Sequence, residues 1–121
     1  MSRGLFVGLF AALAVYADVS GKWVGTSEKA DPAGKTHREA IYLQLRQSGN
    51  NLTGVIGSQG AQEFEISQGK IDGNQVSFVV QPQGSEPWSF RLIVSADSMM
   101  GENIAMEEGK VVKGRVELKR Q

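Results

Sequence analysis

One histidine, His37, stands in a polar Pro/Gly stretch, "KADPAGKTH". A metal site needs clustered His, Cys or carboxylate ligands, and a lone imidazole reads as an exposed loop residue. Glu107 and Glu108 adjoin before a Gly-Lys turn, without the regularly spaced oxygen ligands of a calcium loop. Glu63 and Glu65 share one strand face, opposite Phe64 and Ile66. Paired carboxylates do acid–base work only where burial sets them apart, and these two point to solvent. No serine stands in a nucleophile elbow, and no Gly-rich phosphate loop opens a helix. The sequence therefore predicts no catalytic residue, no metal, no cofactor and no enzymatic activity.

The chain has 121 residues, 13 basic and 13 acidic, and no cysteine. Its length suits one domain. Without cysteine there is no disulfide framework and no thiolate chemistry, so core packing must hold the fold together. A charge balance near zero gives no electrostatic reason to expect nucleic acid or an anionic membrane as partner. Nucleic-acid binding would also need exposed aromatics among basic residues. Here the aromatics fall on apolar faces, apart from Tyr42 beside Gln44 and Arg46.

Residues 1–17 read as a secretory signal peptide. Arg3 gives the positive start, "GLFVGLFAALAV" the apolar region, and Val15 and Ala17 the small residues before a cut. The apolar run is short for a membrane span of ~20 residues. Cleavage after Ala17 would leave residues 18–121 as a single exported domain, periplasmic or extracellular, with no membrane attachment.

The remaining sequence shows period-2 alternation and no amphipathic helix. "REAIYLQLRQ" turns Ile41, Leu43 and Leu45 to one side. "NLTGVIGS" aligns Leu52, Gly54 and Ile56, and "QEFEISQGK" aligns Phe64 and Ile66. "QVSFVVQ" gives Val76, Phe78 and Val80; "WSFRLIVS" gives Trp88, Phe90, Leu92 and Val94. "MMGENIAM" follows, and "KVVKGRVELKR" aligns Val112, Val116 and Leu118. With the opening "SGKWVGTSE" this makes eight strands, joined mostly by tight turns, of which "DGN" at Asp72–Asn74 is the strongest hairpin signal. Leu52, Val76 and Met100 recur every 24 residues, as a meander of similar hairpins would produce. Such strands must bury one face each. The expected fold is all-β, an eight-stranded antiparallel up-and-down meander barrel, with a β-sandwich as the alternative. Gly25, Gly54, Gly101 and Gly114 fall inside strands, where a barrel wall would bend.

Gly21-Lys22-Trp23, on the first strand after a signal peptide, resembles the Gly-x-Trp of lipocalin and calycin barrels. The "SGKW" start and the "DGNQVSF" hairpin also resemble those of small exported bacterial barrel proteins. That likeness carries a fold rather than a function. It implies that Gly21 and Trp23 are structural, with Trp23 plugging the closed end under a basic residue of the last strand. Arg115 is the residue expected there, in a cation–π contact. The chain departs from these families in lacking further lipocalin motifs, the cysteine pair of the related protease inhibitors and the biotin contacts of avidins.

Function then rests on the interior or the rim. An eight-stranded barrel is filled by side chains or holds one small ligand. Trp23, Leu43, Phe64, Phe78, Phe90 and Met100 are the expected interior residues for a small apolar ligand. Ile104 is expected inward too, and Met99, Met100 and Met106 offer an adaptable apolar mouth. So many bulky residues favour a filled core. The alternative is a protein-binding module, such as a protease inhibitor or cell-envelope interaction domain. It would act through two polar loops, "EKADPAGKTHR" and "QPQGSEP".

Overall fold

The computed structural model describes residues 18–58 and 60–121. The expected signal peptide lies outside the described residues. Eight strands follow one another: β1 (Gly21–Ala30), β2 (Thr36–Ser48), β3 (Asn51–Ser58), β4 (Glu63–Asp72), β5 (Gln75–Val80), β6 (Trp88–Ser95), β7 (Ser98–Glu107) and β8 (Lys110–Arg120). Each pairs with its sequence neighbours, and β1 also pairs with β8, so the sheet closes on itself. The fold is therefore an eight-stranded antiparallel up-and-down barrel, compatible with a lipocalin-like fold, and not a sandwich. Closure removes every free strand edge.

Alternation decides what enters the barrel. Leu43 and Leu45 of β2, Leu52 and Ile56 of β3, Val76, Phe78 and Val80 of β5, and Phe90 and Leu92 of β6 are buried. β4 changes face part-way. Ile66 is buried before Gln68, and Gly69 and Ile71 after it. Gln68 has φ 53°, and the pairing of β4 with both neighbours shifts register around it. This is a β-bulge, one extra residue that reverses the alternation.

Inward glycines let the wall curl. A Cβ on Gly25 would land well inside contact of the Glu117 carbonyl, and one on Gly101 well inside contact of the Arg91 carbonyl. Neighbouring backbone thus occupies the space of a side chain, as the bend reading of these glycines requires.

One end of the barrel is sealed. Trp23 is fully buried, and its indole N–H donates to the Val19 carbonyl at 3.0 Å. Val19, also fully buried, donates its N–H to Gln47 Oε1 at 2.9 Å. The residue over the Trp23 ring is Arg120, 4.5 Å from the centroid, which corrects the expectation of Arg115. β8 register explains the difference. Arg120 stands opposite Trp23, whereas Arg115 stands opposite Glu28 on the outward parity, paired with Glu117 at 3.2 Å. The Arg120 guanidinium also donates to the carbonyls of Ser20 and Asp18, at 2.9 and 3.0 Å. It straps residues 18–20 across the closed end.

Candidate functional site: the open half of the barrel

The other half is hollow. A cavity of about 310 Å³ opens between the C-terminal ends of β1, β3 and β7 and the N-terminal ends of β2, β4, β6 and β8. The barrel is filled at the Trp23 end and empty at this one, so the expected filled core holds for half the molecule. The stacked rings of Phe78 and Phe90, 4.7 Å apart, mark the boundary: Phe90 lines the cavity and Phe78 is buried. Ile41 and Ile56 complete an apolar floor. Phe64 and Trp88 form one wall, edge to face at 6.4 Å, and the small side chain of Ala105 leaves room opposite Val112.

Above the floor the lining turns polar, because alternation continues into polar sequence. On β1 the inward series runs Trp23, Gly25, Ser27, Lys29. On β2 it runs Leu45, Leu43, Ile41, Glu39, His37. Ser27 faces Glu39 across the strand pair, and Lys29 faces His37. Lys29 Nζ lies 2.8 Å from Glu107 Oε2 and 5.9 Å from the centre of the Trp88 ring. It passes the β8 position held by Gly114, its cross-strand partner, to reach the end of β7. His37 Nε2 lies 2.9 Å from Asp31 Oδ2. That hydrogen bond, helped by the Lys35 and Ala33 amides on the same carboxylate, holds the Asp31 carboxyl below its ordinary range.

Of the residues expected from sequence to meet a ligand, Phe64 and Phe90 line the cavity. Leu43 and Phe78 are packed beneath it, and Trp23 is in the sealed end. Met100 is a correction: it is 49 % exposed on the outer face, paired with outward Ile93. Met106 is likewise exposed and Met99 fully buried, so the methionines form no mouth. Ile104 is outward as well, since Asn103 and Ala105 take the inward parity on β7. His37 is not a loop residue but part of β2, at the cavity mouth. The stretch expected as a long first loop is mostly strand, with only residues 31–35 between β1 and β2. Ser27, Lys29, Glu39 and Asn103 were missed. Extending the period-2 count past the last apolar residue of β1 and β2 finds the first three.

Tyr42 faces outward, as expected. Its hydroxyl donates to Glu63, and its ring covers Gly57, so a Cβ there would strike it. The Glu63 bond raises the tyrosine's pKa above its ordinary value of 10.0. This contact ties β2 to β4 across the outside of β3.

No protein-family profile matches the chain, and no curated protein matches it. The geometry of the cavity alone carries the functional argument.

Proposed function

We propose that this chain is an exported, non-enzymatic barrel that binds one small amphipathic molecule in its open half. The observation that supports the reading is the hollow of about 310 Å³, apolar at its floor and polar at its mouth. It lies at the small end of ligand-pocket sizes, ~300–1,000 Å³. An apolar body would rest on Ile41, Ile56 and Phe90, and a polar head would meet the inward residues of β1 and β2. Burying the body there supplies the driving force, and the polar ring sets orientation. The sealed end contributes rigidity only.

Native mass spectrometry tests this on protein purified without detergent. A reproducible excess mass that disappears on denaturation is the expected result. A clean mass, together with no change in tryptophan emission when short-chain amphiphiles are added, would overturn it.

A further inference from the structure

The polar groups of the hollow fall into two levels. At the rim, the cation of Lys29 is already engaged by Glu107, and His37 by Asp31. One inward step deeper, about 6–7 Å at the rise of a strand, stand Ser27 and Glu39, directly opposite each other. Among the described residues, no ion pair engages Glu39. Asn103 lines the same hollow from β7. Its Oδ1 lies over Gly114, in the space a Cβ there would need, and Gly114 pairs with Lys29 on β1. Glycine on β8 thus lets the Asn103 carbonyl oxygen reach toward the β1 wall.

These three side chains offer a carboxylate, a hydroxyl oxygen and an amide oxygen, all facing one apolar hollow. We propose that the ligand's head is a primary ammonium, held by Glu39, Ser27 and Asn103, with its apolar tail against Phe90 and Trp88. The inference rests on the cavity being a binding site and adds the chemical class of what it takes. An ammonium has three donors and no acceptor, which matches three acceptors lining one hollow. A carboxylate head would meet the unpaired Glu39, and to gain Lys29 it would have to displace Glu107. A neutral alcohol would satisfy one or two of the acceptors and leave Glu39, which water reaches at the mouth, without a counter-charge. Charge-assisted hydrogen bonds are roughly twice as strong as neutral ones, so the site discriminates by head group rather than by tail.

Calorimetric titration of the purified protein with n-octylamine, n-octanol, octanoate and trimethyloctylammonium separates the outcomes. Octylamine is expected to bind at least about tenfold more tightly than octanol, the scale of one charge-assisted hydrogen bond. Octanoate should bind more weakly still. Glu39→Gln should remove most of the preference for octylamine over octanol, and Ser27→Ala should give a smaller loss in the same direction. Thermal unfolding of both variants verifies that they fold. Tighter binding of octanoate, or an octylamine preference that survives Glu39→Gln, overturns the ammonium assignment while the pocket stands. Trimethyloctylammonium binding as well as octylamine overturns the three-acceptor cradle, because it carries charge without donors. If none of the four probes binds, the pocket reading falls and this inference with it.

Discussion

Arg120 shows how much a single side chain can do at the end of a strand. Its guanidinium covers the Trp23 ring and donates to two carbonyls of the segment before β1. Arg120→Met keeps the stem and removes these contacts. It should lower stability by roughly 1–3 kcal/mol in urea unfolding, from one cation–π contact and hydrogen bonds to one partly buried and one exposed carbonyl. Arg115→Met, on the outer wall with a solvated glutamate partner, should change stability by less than about 0.5 kcal/mol. At the opposite rim, Asp31 organises the β1–β2 turn by accepting from Ala33, Lys35 and His37. Its folded pKa lies below the ordinary 3.8. The turn's stabilisation is therefore complete above that value and is lost as pH falls through the lower folded pKa. The Ala33 and Lys35 amide resonances should titrate with a midpoint below 3.8, and His37→Ala should move that midpoint upward.

At the level of strands, the barrel wall depends on where side chains are missing. Gly101→Ala would force β7 away from the Arg91 carbonyl of β6. With backbone on the other side, nothing flexible can yield, so the expected loss is on the order of 3 kcal/mol. Gly34→Ala meets open space and keeps only the strain of φ 86°, about 1 kcal/mol. Thermal melts of the pair compare wall closure with turn strain. The eight strands and their order were legible because each carries a run of apolar residues at period 2, and "DGN" marks its turn plainly. The β4 bulge was not, because Gln68 carries no compositional mark and its effect is a change of parity. The arginine over Trp23 was legible: the inward parity set by Val116 and Leu118 includes Arg120 and excludes Arg115, five residues earlier. Lys29 and His37 fall outside the strands expected from sequence, and Ser27 and Glu39 inside them; all four are polar, and polarity there belongs to the cavity rather than to solvent.

Taken whole, the molecule divides across its axis into a packed half and a hollow half, and the two should answer mutation differently. In the packed half, buried Leu92→Ala would leave a void among fully buried neighbours such as Val76 and Val116, at a cost of roughly 2–5 kcal/mol. In the hollow half, Ala105→Phe adds a ring to a wall that borders empty space. The ring has room on the cavity side, where Ala105 lines the hollow, and the added apolar area leaves water. Stability should change by less than about 1 kcal/mol or rise, since the overpacking penalty of a dense core does not apply. Binding should vanish, because the ring takes the volume that the ligand's body would need. Denaturation midpoints with octylamine and octanol titrations on the same two variants check this. Leu92→Ala should weaken the fold more than the site, and Ala105→Phe the site without the fold. An Ala105→Phe protein that still binds octylamine at full strength would place the ligand outside the barrel. A Leu92→Ala protein of undiminished stability would mean that the packed half does not carry the fold.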